Sequence, residues 1–416
     1  MSPVSSVVKI FSCLSPSFTR PANSAITRTG HEIFASVHPL NNPLPTLVSA
    51  FEHQDRTFSA AFSVLEDAIS ARAFPAASIA VTHRDRLVAL KSFGHFTNEK
   101  DSPLVTPATL FDLASLTKVI ATTTTSMILY ERGLLELETP VVGVVPEFMA
   151  DTSGKPAPRR RDVTFRMLLA HSSGLPAYEK LFLKAHSRND LLRSAFTTSL
   201  STDPGTRAEY SDIGFILLAT ALERITGESL DVFCQRELFG PLAMINTTFN
   251  PPADTRRQIP PTADDRTFRK KIIQGEVQDE NASVLGGVSG HAGLFSTAED
   301  LVRFAHAMLH GGRPILRPET VALFARRESA PSGTSRALGW DTPSSPSQSG
   351  KYFGPRSFGH LGYTGTSLWI DPDRQLSITL LTNRTWPDCA NQAIKQVRPK
   401  FHDAIMEALE SYPLIK

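Results

Sequence analysis

The sequence has little cysteine, almost no excess of charge of one sign and no long apolar run, and each shortage excludes a class of protein. Its 43 lysines and arginines against 41 acidic residues leave a formal net charge of +2, whereas a general nucleic-acid binder needs a basic excess to neutralise phosphates. Without an apolar run of about 18 residues, no integral membrane segment is expected. Three scattered cysteines, Cys13, Cys234 and Cys389, predict neither a disulfide framework nor a structural zinc site.

The remaining composition is that of an ordinary globular protein, with 41% hydrophobic and 20% charged residues. The chain of 416 residues exceeds the roughly 250–300 residues at which a single hydrophobic core stops growing. We therefore expect two lobes.

The N-terminal segment is short of acidic residues. Before Glu32, the first acid, it carries only Lys9, Arg20 and Arg28 as charges, in a composition rich in Ser and Thr that is similar to a transit peptide. A secretory signal is less convincing, because Lys9 interrupts the short apolar stretch of residues 7–14. A disordered tail is the favoured interpretation of residues 1–48, with residues 49–412 as the folded domain, and a cytoplasmic location is slightly favoured over export.

Strand-like runs come from both ends of the folded part, and helical patterns fill its middle. The runs at residues 78–82, 87–93, 366–370 and 376–382 predict strands, and apolar residues at helical spacing predict helices near residues 58–70, 115–132, 298–309 and 401–409. The economical arrangement is an α/β (α+β) fold in which early and late strands form one antiparallel sheet covered by terminal helices. Residues 49–112 and 335–412 would form this sheet lobe, and residues 113–334 an inserted, mostly helical lobe.

Several common catalytic signatures are absent: the phosphate loop GxxxxGK[ST], the zinc helix HExxH and the nucleophile elbow GxSxG. What remains is Ser115-x-x-Lys118 at the start of a helix, where the two side chains share one face. A serine needs an adjacent base, and a desolvated lysine is one. The alternative is a helix-capping serine with a solvated lysine. The apolar residues that flank the pair predict a core helix, in which an unused lysine is costly, and this favours function.

Two further segments are candidate partners of this pair. Tyr210 precedes an apolar helix, and a nearby lysine would lower its pKa and let it exchange protons with the serine. The equally weighted alternative is a packed tyrosine with Ser211 or Asp212 as the helix cap. His360 lies in the glycine-punctuated stretch FGHLGYTG, whose backbone a substrate would be able to approach. Its alternative is a glycine-rich bulge with a surface histidine.

Together, Ser115-x-x-Lys118, Tyr210-Ser211-Asp212 and His360-Leu361-Gly362 resemble the three motifs of the serine β-lactamase and penicillin-binding superfamily. The likeness is closer to its class C-like branch, which includes D,D-peptidases and family VIII carboxylesterases, and it covers about residues 50–410. It implies the two-lobe β-lactamase-like fold. It also implies an acylated Ser115, Lys118 as base or proton relay, Tyr210 as second acid/base and an oxyanion hole formed by the amides of Ser115 and Tyr363. His360 is the fourth candidate catalytic residue, and Asp212 and Gly362 are candidate substrate contacts. No metal and no organic cofactor are implied.

The departures from the family pattern bear on the substrate. Asp212 stands where β-lactamases commonly have asparagine, and His360-Leu361-Gly362 stands where they have Lys-Thr-Gly. Both changes weaken a pocket that would hold a β-lactam or peptide carboxylate, so hydrolysis of small esters is favoured. The alternatives are a D,D-carboxypeptidase or penicillin-binding protein with weak or no β-lactamase activity, and a non-catalytic binding protein on the same scaffold.

Two other histidines lie in motif-like stretches. His291 is a minor candidate for a cleft contact within a glycine-rich turn, and Asp279 lies close upstream. His171 is interpreted as structural. The expected partner is a small ester, amide or peptide substrate, no nucleic acid is expected, and the sequence predicts no oligomeric state.

Overall fold

A computed structural model describes residues 43–411 of the chain. The predicted tail at residues 1–48 therefore lies almost wholly outside the described residues. The strands are β1 (Val48–Ser49), β2 (Ala76–His83), β3 (Arg86–Gly94), β4 (Phe111–Asp112), β5 (Thr248–Phe249), β6 (Ala263–Asp265), β7 (Lys271–Ile273), β8 (Leu294–Ser296), β9 (Phe358–Leu361), β10 (Ser367–Asp371) and β11 (Leu376–Thr382).

The α-helices lie mostly between the two groups of long strands. They are α1 (Gln54–Thr57), α2 (Ser59–Ser70), α3 (Thr124–Glu131), α4 (Phe165–Leu169), α5 (Arg188–Thr197), α6 (Asp212–Thr226), α7 (Leu230–Cys234), α8 (Glu280–Val284), α9 (Ala298–Leu309), α10 (Pro318–Ala325) and α11 (Ile394–Ser411). No helix within the described part of the chain is both long enough and apolar enough to span a bilayer.

The main sheet has six strands in the order β1-β3-β2-β11-β10-β9. The early and late strands meet where β2 pairs antiparallel with β11, with Ala80 opposite Thr379. The predicted sheet from both chain ends is thus confirmed, except that the two-residue strand β1 pairs parallel with β3.

Both faces of the sheet are buried, which explains why its central strands lack a polar face. In β2, Ala76 and Ala80 belong to the larger hydrophobic core, while Ile79 and Val81 belong to a second core on the other face. Helices α2 and α11 pack together over this second core, and α9 packs on β2, β10 and β11. The small side chains of β2 allow these helices to lie close to the sheet.

The prediction of a regular helix from Ser115 to Arg132 is wrong for its first turns. Ser115 lies in a turn, Lys118–Thr123 is a π-helix, and the α-helix begins at Thr124. A threonine-rich run explains the difference, because its hydroxyls bond to backbone groups. Thr124 Oγ1 donates to the Val119 carbonyl five residues back at 3.0 Å, and Thr122 Oγ1 donates to the Gly290 carbonyl at 2.7 Å. Such π-turns are frequent at functional sites.

Candidate active site

Ser115 is presented by a strand, a strained turn and the π-helix that follows. It is the only residue between positions 111 and 129 that is not fully buried. The turn is shaped at Ala114, which has a left-handed φ of 46° and donates its amide to Asp112 Oδ1 at 2.8 Å. The other carboxylate oxygen of Asp112 accepts from the Gln278 amide at 2.7 Å, and burial raises the pKa of Asp112 to about 6. The buried Asp112 therefore holds the turn that exposes the serine hydroxyl.

Lys118 is completely buried one turn beyond Ser115. Its Nζ donates to Ser115 Oγ at 3.0 Å and to the His291 carbonyl at 3.0 Å. A third contact, at 2.7 Å, joins Nζ to Asp212 Oδ1. These three contacts match the three hydrogens of an ammonium group, so the lysine is fixed with one hydrogen aimed at the serine.

Opposing effects act on the protonation of Lys118. Burial lowers the pKa of Lys118, but the Asp212 carboxylate and the Tyr210 hydroxyl raise it by more, so the net direction is upward. The lysine is therefore an ammonium at neutral pH. Asp212 lies at the first turn of α6 and was predicted to contact substrate. Its carboxylate instead contacts Lys118 and raises the pKa of that lysine.

Tyr210 lies beside this pair at the entrance to α6. Its ring centre is 4.8 Å from Lys118 Nζ, and the side chains of Lys118 and Ser115 lie close enough to its hydroxyl to lower its pKa. The expectation that a lysine lowers the pKa of Tyr210 is wrong in its net direction, because burial raises that pKa by more than Lys118 lowers it. Tyr210 is thus a neutral phenol that can donate its hydrogen.

A buried histidine positions Tyr210. His171 Nδ1 accepts the Ser211 amide at 3.0 Å, and the His171 ring lies 4.7 Å from the Tyr210 ring and 5.0 Å from the Phe215 ring. Burial, reinforced by nearby cations, lowers the pKa of His171 well below 6.5, which keeps the ring neutral. Ser211 caps α6 by accepting the Gly214 amide at 3.1 Å, so the predicted helix cap is confirmed for Ser211. Tyr210 nevertheless lines the same cavity as Ser115.

His360 lies on β9 and lines the same cavity as Ser115 and Tyr210. It is buried, and its ring centre is 5.8 Å from that of Tyr210. Its Nδ1–H donates to the Leu361 carbonyl at 2.8 Å, which leaves Nε2 as a buried acceptor without a partner. Burial, followed by Lys118 and Arg336, lowers the pKa of His360 well below 6.5. The third motif therefore contributes a neutral acceptor where the family pattern has a lysine.

The loop after β9 is fastened to the turn that carries the serine. Thr364 Oγ1 donates to the Asp112 carbonyl at 2.8 Å, and Thr366 Oγ1 donates to the Leu113 carbonyl at 3.0 Å. A Cβ at Gly362 would lie 1.9 Å from Thr366 Oγ1 and 2.5 Å from the Leu113 carbonyl oxygen, so only glycine permits this approach. Within residues 43–411, the amides of Ser115 and Tyr363 donate to no protein acceptor. This leaves both amides available for the oxyanion that the family resemblance assigns to them.

His291 was a minor candidate for a cleft contact, but its side chain does not line the cleft. The ring is buried and lies between Ser289 Oγ and Asp279 Oδ1, each 2.8 Å from a ring nitrogen. Only its backbone carbonyl reaches the site, where it accepts from Lys118. The glycine-rich turn around it explains this role, because a Cβ at Gly290 would lie 2.3 Å from the Phe215 carbonyl oxygen.

The comparisons with known proteins agree with this arrangement. The sequence model of the family described as Beta-lactamase matches residues 59–398. The chain belongs to the beta-lactamase family. Two relatives are an N-acetylmuramyl-L-alanine amidase of Bacillus subtilis, 33% identical over 76% of this chain and 78% of the relative, and a putative D-alanyl-D-alanine carboxypeptidase of Escherichia coli, 30% identical over 75% and 79%.

A solved structure shares the fold. EstCE1, described as a hydrolase with promiscuous acyltransferase activity, superimposes with a TM-score of 0.68 at 21% identity, over 85% of this chain and 99% of EstCE1. The family match and the relatives support the assignment of this beta-lactamase-family chain as a hydrolase, and the predicted β-lactamase-like fold is confirmed.

The cleft of this beta-lactamase-family protein is more basic than its motifs suggest. A cavity of about 370 Å³ is lined by Ser115 and Tyr210 together with the cations Arg336, Arg384, Lys395 and Arg398. Arg384 is buried and donates Nε to the Tyr363 carbonyl at 2.7 Å. Sequence reasoning missed these cations because no local spacing connects them to the motifs.

Arg398, on α11, is the least satisfied of these cations. It is buried and donates to Gln348 Oε1 at 3.0 Å and to the Thr366 carbonyl at 3.3 Å, while Nε has no partner. In the described residues, neither Arg398 nor Arg384 pairs with a carboxylate. Burial and Arg384 lower the pKa of Arg398 to about 9, so it still carries a positive charge at neutral pH. A buried cation without a counter-ion is costly, which marks this end of the cleft as a place for an anion.

Proposed function

We propose that the protein hydrolyses an amide or ester bond of a small, carboxylate-bearing substrate through an acyl-enzyme on Ser115. The observation that carries the proposal is the contact between the partly exposed Ser115 Oγ and the fully buried Lys118 Nζ at 3.0 Å. A serine needs such a neighbour to lose its proton during attack.

In the proposed reaction, the fraction of Lys118 that has lost a proton to solvent, which grows as the pH rises, accepts the Ser115 proton while Ser115 Oγ attacks the substrate carbonyl. The amides of Ser115 and Tyr363 stabilise the oxyanion. The Tyr210 hydroxyl gives its proton to the leaving group and regains one from Lys118 Nζ. Water then attacks the acyl-enzyme, the same pair takes up its proton, and Ser115 Oγ is protonated again as the acid product leaves.

The two buried arginines support a carboxylate on the substrate. The prediction of small esters rested on motifs that offer no carboxylate anchor, but Arg384 and Arg398 lie in the cleft without acidic partners. Guanidinium groups bind carboxylates through charge-assisted, often bidentate hydrogen bonds. The names of the relatives, an amidase and a putative D-alanyl-D-alanine carboxypeptidase, also favour an amide bond in a substrate of peptide type.

Hydrolysis of small neutral esters is the second candidate. It is favoured by His360, whose neutral ring supplies an acceptor where the family pattern places a cation. A free-standing ester needs no anionic anchor, so this activity would leave the arginines unused.

The decisive experiment compares Ser115→Ala with wild type on matched substrates. The set is p-nitrophenyl acetate, p-nitrophenyl hydrogen succinate and a diacyl-Lys-D-Ala-D-Ala peptide with either a free or an amidated C-terminus. We expect Ser115→Ala to lose at least about 1,000-fold in kcat/KM on every substrate that the wild type turns over. The exposed Ser201→Ala is the matched control and should behave as wild type.

The substrate pairs separate the candidates. Preference for the succinate ester or the free-acid peptide supports the carboxylate proposal, whereas equal rates on the charged and neutral members support the small-ester candidate. Labelling of Ser115 by a fluorophosphonate probe, followed by mass spectrometry, tests the non-catalytic alternative. A folded wild type that neither labels nor turns over any of these substrates would contradict the acyl-enzyme proposal.

A further inference from the structure

A second constellation of chemically active side chains lies outside the cleft, where α9 meets the turn between β2 and β3. Asp85, His306 and His310 bring one ligand atom each within 4.8 Å of one another, and they form the one such group of metal-binding side chains found in residues 43–411. None of the three lines the active-site cavity.

The hydrogen bonds of His306 fix which ring nitrogen carries the hydrogen. Nε2 lies 2.8 Å from the Pro45 carbonyl oxygen, an acceptor, so Nε2 must be the donor. With the hydrogen on Nε2, the ring lone pair lies on Nδ1. A ring N–H donated to a backbone carbonyl is the usual way in which proteins orient a metal-binding histidine.

The lone pair of His306 Nδ1 is buried and has no hydrogen-bond donor. It faces Asp85 Oδ1 at 3.9 Å, and a carboxylate oxygen is also an acceptor. Two acceptors that face each other without a donor between them repel, and a cation between them removes the repulsion. The side chain of His306 is 3% exposed, so solvent reaches the site mainly on the side of Asp85.

The third side chain completes a ligand set. His310 is the residue that ends α9, four positions after His306, and the two ring centres are 4.6 Å apart. His310 Nε2 lies 2.6 Å from Asp85 Oδ1, within hydrogen-bond distance. Ligand atoms on a tetrahedral zinc ion, with bonds of about 2.1 Å, lie roughly 3.4 Å apart. The two measured separations from Asp85 Oδ1, 2.6 and 3.9 Å, bracket this value.

The backbone that presents Asp85 is unusual. Arg84 and Asp85 both have left-handed φ angles, 49° and 61°, in a hairpin turn where glycine or asparagine is the ordinary choice. The turn nevertheless directs the Asp85 carboxylate at the two histidines, and the side chain of Asp85 remains 41% exposed. A solvated cation can therefore approach from this side.

From this geometry, we propose that Asp85, His306 and His310 bind a divalent transition metal, with zinc as the best match. Two imidazole nitrogens and one carboxylate oxygen suit zinc better than calcium or magnesium, which prefer all-oxygen sites. Water would take the fourth position. Cysteine spacing predicts no structural zinc site, and this ligand set contains no cysteine: its third ligand comes from a turn more than 200 residues before the histidine pair.

The proposed role is to fasten the β2–β3 turn to α9, independently of Ser115 chemistry. Metal that binds only the folded chain raises its thermal stability. Substitution of a metal-binding side chain should therefore lower the metal affinity and the metal-dependent rise in melting temperature. Neither measurement depends on the proposed hydrolase activity.

The test uses the full chain without a histidine tag, dialysed against a chelator and titrated with zinc chloride by calorimetry. We expect one zinc per chain and a rise in melting temperature, and visible d–d absorption of tetrahedral character when Co²⁺ replaces zinc. His310→Gln and Asp85→Asn should each weaken zinc binding by at least about 100-fold. His186→Gln, an exposed histidine elsewhere, is the matched control.

The outcomes are distinguishable. Wild type and His186→Gln that bind zinc, with both ligand variants impaired, support the site. Zinc binding of wild-type strength in His310→Gln or Asp85→Asn, or no binding by the wild type, overturns it. Circular dichroism and cooperative unfolding check that each variant is folded, and Asp85→Asn, which lies in an exposed turn, keeps the test valid if His310→Gln does not fold.

Discussion

Two buried cations at the active site, Lys118 and Arg398, are satisfied to different degrees. Lys118 has three acceptors, one of them the Asp212 carboxylate. Arg398 has two neutral acceptors, an unpartnered Nε and another arginine as its neighbour. We therefore assign the paired charge of Lys118 to the proposed chemistry and the unpaired charge of Arg398 to the proposed recognition of a substrate carboxylate.

The largest expected effect comes from removing the paired cation. Lys118→Met should lower kcat/KM on all substrates by about 1,000-fold, because Ser115 loses its proton acceptor. It should also lower the free energy of unfolding by about 3 kcal/mol, because Asp212 is left without its partner. Hydrolysis kinetics and urea denaturation measure the two losses.

Lys118→Arg is the control that keeps the charge. It should recover most of the stability but little activity, because a guanidinium does not become neutral. Full activity in Lys118→Arg would contradict the assignment of the lysine as a base.

Removal of the unpaired cation should lower activity only on charged substrates and have little effect on stability. Arg398→Met should lower kcat/KM about 30-fold on carboxylate-bearing substrates and leave neutral esters unchanged, which corresponds to one charge-assisted hydrogen bond. The free energy of unfolding should change by less than about 1 kcal/mol, because no buried charge is abandoned and the Thr366 carbonyl still accepts the Gly362 amide at 2.8 Å. Lys400→Met, an exposed change on the same helix, is the matched control. A uniform loss on charged and neutral substrates would remove the distinction between the two cations.

Asp212→Asn weakens the pairing of Lys118 without deleting the lysine. Since Asp212 raises the pKa of Lys118, the variant should move the alkaline rise of kcat/KM to lower pH. It should also cost about 1.5 kcal/mol of stability at neutral pH. A raised pKa in the folded state stabilises below the unfolded value and stops doing so at higher pH. The stability difference should therefore disappear well above pH ~10.4. An unshifted pH–rate profile would show that Asp212 does not act on the base.

The smallest predicted effect concerns the neutral histidines that face these cations. His171 and His360 have strongly lowered pKa values in the folded state, so the unfolded chain binds more protons below about pH 6.5. Stability should fall by about 1 kcal/mol per histidine between pH 6.5 and 5.5. In thermal unfolding, His360→Gln should reduce this loss of stability by about 1 kcal/mol. His186→Gln, at an exposed position, should leave the loss unchanged.

The sequence predicted the features that repeat locally. The strands around Ala80 and Thr379 and the helix that starts after Thr297 follow from apolar periodicity and a cap, and Thr297 Oγ1 indeed accepts the Asp300 amide at 3.1 Å. The two-residue strand β4 and the π-helix could not be predicted in this way. They are too short for a period and depend on contacts far along the chain: β4 pairs with Phe295 and Ser296, and Thr122 of the π-helix bonds to the Gly290 carbonyl.

At the site, the motifs predicted that Ser115, Lys118, Tyr210 and His360 lie together. In the structure, Ser115, Tyr210 and His360 line one cavity, and the buried Lys118 contacts Ser115. The charged and polar groups that contact these residues could not be predicted from the neighbouring sequence. The carboxylate beside Lys118 and the carbonyl of His291 meet the lysine only through tertiary packing. Arg398 reaches the cleft from the last helix. Those partners, rather than the motifs, decide charge states and therefore substrate.

The hydroxyl bonds of Thr364 and Thr366 to the turn before Ser115 join positions 252 and 253 residues apart. One proposed oxyanion donor, the Ser115 amide, is thus contributed early in the chain and the other, the Tyr363 amide, near its end. During synthesis, the nucleophile emerges long before its counterpart, and the site is assembled only after β9 and β10 have joined the sheet. Catalytic competence is therefore a late event in the folding of this chain, and a fragment that stops before β9 should carry the nucleophile without the activity.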